Sequence, residues 1–400
     1  MNAYIESLLS FVPELEEYPE YNPPSDAGEV KAVTFKMPSF FGKDYESFAY
    51  IGFPKTKEKT VPAVVLVHGA LGHAHHSWVR LWNMRGYAAI AIDMEGYYPE
   101  KTDMASVPVD GFIPFVYGAY GPFAHENVAD SPKNDAMNSM DKPLEEQWMF
   151  HSIAKAILGH NILRNDKRVD KVGICGVSWG SVITSLAIGY DTRFDFAVSI
   201  YGGGYMFENK GFCGNKYREA NVFGDNYFAE KRFGVVKTPT FFLCAAQDTA
   251  FSIDANSLSY EAVQAANGKS LFGIVEKFKH GQLAAMERIE PFIYADVFCK
   301  GAKELIGFSE KPKGREVSVG VFGDVLEAKA YYLTAPISFD LGAEDPMMRT
   351  GEVPKECACT ISGGKVLCDI PDSAYMYYIT LRGEREGRDY FVSSPVVICE

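Results

Sequence analysis

The sequence predicts an α/β protein in which a mostly parallel central sheet carries helices on both faces, followed by a small C-terminal antiparallel β-sandwich domain. Up to about residue 300, short apolar runs typical of buried strands alternate with helical patterns. One of these strands ends in a Gly-x-Ser-x-Gly turn that leads directly into a helix. Beyond residue 315, apolar and polar residues alternate between turn residues, which is typical of antiparallel strands.

The individual elements follow from hydrophobic periodicity along the chain. The predicted strands before the C-terminal domain are residues 29–37, 47–53, 61–67, 88–93, 172–175, 240–246 and 271–275. The predicted helices are residues 3–18, 77–85, 144–163 and 284–300. In the helix over 144–163, one apolar stripe is predicted to be a core face rather than a binding site. That stripe consists of Phe150, Ile153, Ala154, Ile157 and Leu158.

The segment Gly176-Val177-Ser178-Trp179-Gly180 is the most informative motif of the chain. It follows the apolar run at 172–175 and precedes apolar residues at helical spacing, from Val182 to Ala187. A strand, a Gly-x-Ser-x-Gly turn and a helix in this order form the nucleophile elbow of α/β-hydrolases, which holds the serine in a strained conformation above the sheet. Small residues flank the serine because strand and helix approach closely there. Ser178 is therefore the predicted nucleophile.

A serine needs a base to attack a carbonyl group at neutral pH, and the base needs a carboxylate to orient it. In this fold the acid and then the histidine follow the serine, each after a later strand. Asp248 lies at the carboxyl end of the strand predicted at 240–246, and His280 follows the strand that begins at Leu271. We predict Asp248 as the acid and His280 as the base, with Asp254 as the reserve acid. The competing interpretation is that Asp248 caps the next turn and His280 is an ordinary loop histidine.

Two backbone amides are expected to form an oxyanion hole, because the charge that develops on the carbonyl oxygen needs donors aimed at it. One is the amide of Trp179, directly after the nucleophile. The other comes from the loop after the strand at 61–67, where Ala70 is the predicted donor and Leu71 the alternative. His68, at the end of that strand, is predicted to hydrogen-bond the loop rather than to act as a second base.

Clusters of histidine and cysteine raise the question of a metal site. One cluster lies early in the chain and consists of His68, His73, His75 and His76. It contains no acidic residue or cysteine and lacks a known zinc spacing, so we expect surface histidines or histidines that support the site. The terminal cysteines are Cys357, Cys359, Cys368 and Cys399, and their C-x-C spacing lacks a second close pair. No nucleotide-binding glycine loop follows a strand, and we expect no metal and no cofactor.

Composition and charge restrict the class of protein further. The 400 residues are 47% hydrophobic and 23% charged, as in a globular protein with a large core. The net charge of −13 argues against binding to nucleic acid or to an anionic membrane surface. The first residues lack the features of a signal peptide, and no apolar run approaches the roughly 20 residues of a membrane span. We therefore expect a cytoplasmic protein with free thiols.

Several segments together resemble the acetyl xylan esterase and dienelactone hydrolase-like branch of the α/β-hydrolases. They are residues 148–160, 172–180, 189–194 and 198–204, within a similarity that covers about residues 30–300. In that branch the triad falls on the serine of Gly-x-Ser-Trp-Gly, an Asp after the next-but-one strand and the His of a late His-Gly pair. The resemblance thus also implies Ser178, Asp248 and His280. Ala70 departs from the pattern, since xylan-deacetylating relatives carry an aromatic residue there, and many relatives lack the C-terminal extension.

The chain is predicted to divide into a catalytic domain at residues 1–307 and a β-sandwich accessory domain at residues 315–400. Two insertions rich in aromatic residues, at about 96–142 and 203–234, interrupt the catalytic domain. Long loops without periodicity are usually functional or disordered, and the aromatic content argues against disorder. We expect both insertions to cover the cleft and line an acyl or alcohol pocket. The alternative is that they are surface-packed loops with small cores of their own.

The predicted function is that of a serine hydrolase that cleaves small carboxylic esters through an acyl-enzyme, as an acetyl esterase on an acylated sugar or similar small molecule. Its predicted partner is this small-molecule ester, with no nucleic acid and no membrane, and the sequence allows a homo-oligomer. The alternative is a prolyl-oligopeptidase-like serine peptidase or amidase, which shares the elbow and the triad order. Those enzymes usually carry an N-terminal propeller of repeats, and no internal repeat occurs here. A non-catalytic scaffold on this fold would lack a triad residue, and none is missing.

Overall fold

The computed structural model describes residues 1–23, 28–39, 46–70, 72–95, 97–99, 120–122, 142–220, 225–339 and 352–399. The chain forms two compact units. The first comprises residues 1–197 and 222–227, and the second comprises residues 198–221 and 228–400.

The first unit is built on a mixed sheet. Its strands are β1 (Leu15–Glu17), β2 (Gly28–Lys36), β3 (Glu46–Pro54), β4 (Val61–Val67), β5 (Ala88–Ile92), β6 (Tyr97–Pro99), β7 (Tyr120–Pro122) and β8 (Val169–Val177). The sheet order is β1-β2-β3-β5-β4-β8, and β6 and β7 form a separate antiparallel ribbon. β4 pairs in parallel with β5 on one side and with β8 on the other. The carboxyl ends of these three strands therefore share one edge, where loops can build a site.

Helices pack on this sheet, and its strands β4 and β5 are completely buried. They are α1 (Asn2–Leu9), α2 (His76–Met84), α3 (Trp148–Asn165) and α4 (Trp179–Tyr190). α2 packs on β3 and β5, α3 packs on β4, β5 and β8, α4 packs on β4 and β8, and α1 packs on α3. Every residue of α3 from Trp148 to Leu163 is buried, so the single core stripe predicted for this helix is too narrow. Gly159 contributes to this burial, because a Cβ there would lie 3.3 Å from Val65 Cγ1 on β4.

The second unit contains further strands of the α/β part of the chain. In order, its elements are β9 (Ala197–Ile200), α5 (Phe212–Ala220), α6 (Glu230–Phe233), β10 (Thr240–Ala245), α7 (Ile253–Asn267), β11 (Leu271–Val275), α8 (Gln282–Met286) and α9 (Glu290–Lys300). β9 lies beside β10, and β10 pairs in parallel with β11. The residues that follow β10 and β11 therefore come together at one edge.

The rest of the second unit consists of two antiparallel sheets, as the alternating pattern beyond residue 315 predicts. Their strands are β12 (Gly307–Phe308), β13 (Glu316–Phe322), β14 (Glu327–Leu333), β15 (Lys355–Ala358), β16 (Thr360–Ser362), β17 (Lys365–Asp369), β18 (Met376–Arg385), β19 (Arg388–Ser393) and β20 (Val397–Ile398). One sheet has the order β12-β13-β17-β16, and the other has β15-β14-β18-β19 with β20 on β18. These sheets bond to β11, since Ile274 N donates to Ser393 Oγ (2.9 Å). The domain boundary predicted between residues 307 and 315 stays a prediction.

Two predicted helices differ from those observed. The helix predicted at 3–18 ends at Leu9, and Asn161 Nδ2 donates to the carbonyl group of Leu8 (2.7 Å) at this end. Pro13 cannot continue a helix, and the chain goes on as β1. The helix predicted at 284–300 is interrupted between α8 and α9, because Pro291 is tolerated only in the first turn of α9.

Two further expectations bear on the class of protein. Cys175 and Cys244 are free thiols, as expected, and are buried in β8 and β10. Among the helices in the described ranges, none combines the length and apolarity needed to cross a bilayer.

Candidate active site

Ser178 occupies the turn between β8 and α4, as the motif predicts. Its backbone has φ 58° and ψ −121°, a conformation that costs a non-glycine residue about 1–3 kcal/mol. The residue is half-buried, and the turn is closed by a hydrogen bond from Ser181 N to the carbonyl oxygen of Ser178 (2.8 Å). A strained serine in a sharp strand–turn–helix connection is the geometry of a nucleophile elbow.

The glycines of the motif are required by the close approach of three backbone segments. A Cβ at Gly176 would overlap the carbonyl oxygen of Gly180. A Cβ at Gly180 would in turn overlap the carbonyl oxygen of Val67, at the end of β4. Helix α4 therefore starts against the end of β4 at a separation that only glycine permits.

The loop after β4 passes directly beside the serine. A Cβ at Gly69 would lie 3.1 Å from Ser178 Cβ and 3.6 Å from Ser178 Oγ. Ala70, the predicted oxyanion donor, is the next residue and is exposed, whereas Leu71 lies outside the described residues. Trp179, the other predicted donor, is the first residue of α4, where backbone N–H groups point away from the helix. Two amide-bearing segments thus flank Ser178 within the first unit.

His68 bonds this loop, as the sequence predicts. Its Nε2 accepts a hydrogen bond from Met94 N (2.9 Å), so the proton is on Nδ1, which donates to the carbonyl oxygen of Gly69 (2.7 Å). The imidazole thereby connects the loop after β4 to the segment after β5. Both ring nitrogens are engaged, which is consistent with a structural role and not with a second base.

His73 and His75 are buried, since only 8% and 4% of these residues is exposed. A surface location, one of the two that we expect for the other histidines of the tract, is therefore wrong for these two. Burial lowers the pKa of His73 to about 4 and holds the pKa of His75 well below its ordinary value. Burial, together with Arg80, also lowers the pKa of His76 to about 4. These side chains are therefore neutral at pH 7. Within the described part of the chain, no cluster of three or more histidine, cysteine or acidic side chains is arranged to hold a metal ion.

Asp248 follows β10 and is held by the backbone around it. Its side chain is 0% exposed. Oδ1 accepts hydrogen bonds from Ala250 N (2.8 Å) and Phe251 N (3.0 Å). Oδ2 accepts from Nδ1 of His280 at 2.8 Å. One oxygen thus fixes the carboxylate while the other orients the imidazole, and charge-assisted bonds of this kind are about twice as strong as neutral ones.

His280 lies in the loop after β11, and its side chain is 16% exposed. Burial by itself lowers the pKa of His280, but the charge of Asp248 and the hydrogen bond to it outweigh burial and raise the pKa above its ordinary value. The structure thus brings together two of the residues predicted from sequence. Asp254, the reserve acid, lies instead in the first turn of α7, where its Oδ1 accepts from Ala255 N (2.8 Å).

Aromatic side chains that sequence reasoning did not single out surround the imidazole. The ring centroid of Tyr201 lies 4.6 Å from that of His280. The ring of Phe251 is stacked at 6.1 Å with an interplanar angle of 10°. The signal in the sequence is slight: Tyr201 stands between a buried strand and three consecutive glycines.

The second aromatic insertion is joined to the loop that carries Asp248. Asn209, a residue of this insertion, is fully buried. Its Nδ2 donates a hydrogen bond to the carbonyl oxygen of Ala250 (3.1 Å), and its Oδ1 accepts one from Ser252 N (2.9 Å). Phe207 packs against Tyr217 and Phe228, at ring separations of 6.1 and 5.3 Å. This insertion therefore has a small aromatic core of its own, as in the alternative considered above. Most of the first insertion lies outside the described residues, and the pocket expected from both insertions stays a prediction.

Comparison with known proteins gives a family and a fold. The family model of the dienelactone hydrolase family matches residues 48–296. Comparison with curated protein sequences finds no match.

Among solved structures, the chain is similar to the acetyl xylan esterase from Paenibacillus sp. R4, with 15% identity and a TM-score of 0.51, over 73% of this chain and 92% of that chain. It is also similar to the acylaminoacyl peptidase of Pyrococcus horikoshii, with 18% identity and a TM-score of 0.50, over 70% of this chain and 43% of that chain. These similarities confirm the α/β-hydrolase fold predicted from sequence. At such identities they do not extend to substrate.

The elbow geometry predicts that Gly180→Ala strongly destabilises the protein. The added methyl group meets the Val67 carbonyl oxygen, which is backbone and cannot move aside, so we expect a loss of about 3 kcal/mol or more. Gly234→Ala is the control, because no atom lies within 4 Å of its added Cβ. Urea unfolding followed by circular dichroism measures both variants, and equal stability of the two would contradict the close approach described here.

The Asp248–His280 pair predicts a pH-dependent effect of Asp248→Asn. The amide keeps an oxygen for Ala250 N and Phe251 N but removes the charge that faces His280, so the pKa of His280 falls. The pKa of His280 is raised in the folded state. The stabilisation of the fold by this pair is therefore fully present at pH values below the ordinary histidine pKa of about 6.5, and it is lost as the pH rises through the raised pKa.

We therefore expect Asp248→Asn to lower the free energy of unfolding by about 1–3 kcal/mol at pH 6 and by less at pH 9. NMR titration of histidine and urea unfolding at both pH values measure the two effects. Asp254→Asn is the matched control and leaves the titration of His280 unchanged. A pKa of His280 that is the same with Asn at 248 would refute the electrostatic role of Asp248.

Proposed function

The chain belongs to the dienelactone hydrolase family, and from this premise we propose that it is a serine hydrolase that cleaves small carboxylic esters through an acyl-enzyme. Membership of the family indicates an ester hydrolase. We propose in addition that the nucleophile is Ser178 and that the substrate is an acetyl ester, such as an acetylated sugar or a similar small molecule.

In the proposed mechanism, Ser178 Oγ attacks the ester carbonyl carbon while His280 Nε2 takes its proton. Asp248 holds the Nδ1–H tautomer of His280 and stabilises the imidazolium that forms. The amides of Trp179 and Ala70 bind the oxyanion, a contribution of about 2.7–4 kcal/mol for each donor. The imidazolium then protonates the departing alcohol, and water attacks the acyl-enzyme with His280 again as base.

The observation that carries this proposal is the hydrogen bond from His280 Nδ1 to Asp248 Oδ2, at 2.8 Å. Both residues come after the strained serine of the elbow, in the chain order typical of this fold. A carboxylate in this position fixes the tautomer of the His280 imidazole and raises its pKa, and both effects suit a general base. A serine held at φ 58° supports the same assignment, because strain of this size persists where function requires it.

A serine peptidase or amidase is the second candidate function, because one similar structure is an acylaminoacyl peptidase. The chain spans 43% of that protein's length, so its activity does not carry over to this chain as a whole. The two functions differ in leaving group, which is an alcohol for the esterase and an amine for the peptidase.

The substrate prediction is that p-nitrophenyl acetate is hydrolysed with a kcat/KM at least about a hundredfold above those of aminoacyl p-nitroanilides, with butyrate and octanoate esters slower than acetate. An alcohol leaving group needs less assistance from the general acid than an amine does. Initial rates at 400 nm measure all of these substrates on one enzyme preparation. A preference for the anilides would support the peptidase instead.

The mechanism predicts that Ser178→Ala lowers kcat by at least about a thousandfold, because removal of the nucleophile leaves only binding and the oxyanion donors. A fluorophosphonate is expected to add to the wild-type protein once, at Ser178, as seen by intact mass and peptide mapping. Ser185→Ala, two turns further along α4 at a fully buried serine, is the control and keeps both activity and labelling. Turnover retained in Ser178→Ala would remove the mechanism.

A further inference from the structure

Tyr201, directly after β9, has an unusual backbone conformation. Its φ is 66°, in the left-handed region that residues with large side chains rarely adopt. The side chain is fully buried, and Tyr201 N donates to the carbonyl oxygen of Leu243 on β10 (2.8 Å). A strained and buried residue of this kind persists only where its surroundings determine it, and such residues are concentrated at functional sites.

The hydroxyl group of Tyr201 reaches the loop that carries His280. It donates a hydrogen bond to the carbonyl oxygen of Lys279 (2.5 Å), the residue immediately before the imidazole. The same loop contains a second left-handed residue, Lys277, with φ 57°. The hydroxyl therefore fixes the peptide that leads into His280, in a loop whose backbone is not part of a strand or helix.

The ring of Tyr201 packs on the side chains that this loop presents. Its centroid lies 4.6 Å from that of His280 at 31°, and 4.5 Å from that of Phe278 at 36°. Phe251, whose amide bonds Asp248, contributes a further ring parallel to the imidazole. Contacts of this kind restrict rotation of the imidazole, and the faces of aromatic rings favour a neighbouring cation.

We propose that Tyr201 is a positioning residue for His280. Its hydroxyl fixes the peptide before the imidazole, and its ring limits rotation, so that Nδ1 stays on Asp248 and Nε2 keeps the direction needed to accept a proton. Tyr201 acts through His280 and takes no part in bond making. This proposal deepens the proposed function and rests on it.

The test compares Tyr201→Phe, which removes only the hydroxyl, with Tyr201→Leu, which also removes the ring. Tyr294→Phe is the matched control: Tyr294 is a buried tyrosine of the same unit, and its hydroxyl likewise donates to a backbone carbonyl, that of Lys269 (3.1 Å). Both Phe variants lose the hydrogen bond that the hydroxyl donates to a backbone carbonyl group, so the loss of stability from that bond affects them alike. A positioning role of Tyr201 is what we expect to separate the two variants in activity.

We expect Tyr201→Phe to lower kcat for p-nitrophenyl acetate by about tenfold, because a buried neutral hydrogen bond is worth about as much as a tenfold change in rate. Its KM stays within about twofold of wild type, since Tyr201 orients the base rather than the ester. Tyr201→Leu lowers kcat by about a hundredfold, and Tyr294→Phe leaves kcat within about twofold.

A second measurement needs no substrate. In protein labelled with ¹⁵N-histidine, NMR titration gives the pKa of His280 directly. A less firmly held imidazole loses part of its bond to Asp248, so its pKa falls toward the ordinary value in Tyr201→Phe and stays at the wild-type value in Tyr294→Phe. The acid limb of the pH profile of kcat/KM shifts to lower pH by the same amount.

The proposal is overturned if Tyr201→Phe matches Tyr294→Phe in both kcat and the titration of His280, or if it raises KM and leaves kcat unchanged. A failure of the proposed function gives a different result, because wild type and Ser178→Ala then show equal turnover. The NMR titration of His280 still measures, in that case, whether Tyr201 holds the imidazole. If Tyr201→Leu does not fold, Tyr201→Phe, which keeps the ring, decides the question alone.

Discussion

The first unit depends on the close approach of β8, α4 and the end of β4. Gly180 lies against the carbonyl group of Val67, and this contact forces the chain to turn sharply at Ser178. The strain at φ 58° costs about 1–3 kcal/mol. Val182, Ile183 and Leu186 of α4 are at most 1% exposed, and burial of each contributes about 1.5–3 kcal/mol. Packing of the helix therefore outweighs the strain of the serine that precedes it, which is why the turn persists.

In the second unit, the main constraint is the burial of the predicted acid and base, Asp248 and His280. A buried carboxylate is costly unless hydrogen bonds satisfy it, and Asp248 has two amides on one oxygen and an imidazole on the other. Two effects oppose each other at His280, since burial favours the neutral ring and Asp248 favours the charged one. The pKa of His280 is raised, so the carboxylate prevails. The charge of Asp248, rather than its shape, is therefore what sets the protonation of His280.

Sequence reasoning located these residues because their chemistry is tied to strand ends. Buried parallel strands are recognisable as apolar runs, and Asp248 and His280 each follow one at a short distance. The elbow is easier still to predict, since its glycines are dictated mainly by contacts between nearby residues of the turn and helix and by carbonyl groups at the end of β4.

Features that depend on distant contacts could not be predicted from the sequence in the same way. His73 and His75 are buried by surroundings that their own short polar segment does not indicate. The end of α1 is set by Asn161, more than 150 residues away, as well as by Pro13. Tyr201 meets the histidine loop across 78 positions, and no local pattern encodes that contact. Hydrophobic periodicity predicts whether a segment is a helix or a strand, whereas the roles of these residues depend on contacts with distant parts of the chain.

The C-terminal sheets are connected to the same histidine loop through a buried ion pair. The carboxylate of Glu290 is fully buried; it binds the Arg288 guanidinium and accepts a hydrogen bond from Phe391 N on β19 (3.2 Å). The guanidinium lies 5.5 Å from the centroid of the Phe278 ring and 5.6 Å from that of Phe391.

Breaking one partner of a buried pair typically costs 3–5 kcal/mol, because the other charge is left uncompensated. The amide of Phe391 therefore helps to satisfy the buried carboxylate of Glu290, and the Arg288 guanidinium that this carboxylate binds lies beside Phe278 of the histidine loop. The C-terminal sheets are thus joined to the region around His280 by a buried carboxylate as well as by ring contacts, from Phe391 through Arg288 to Phe278.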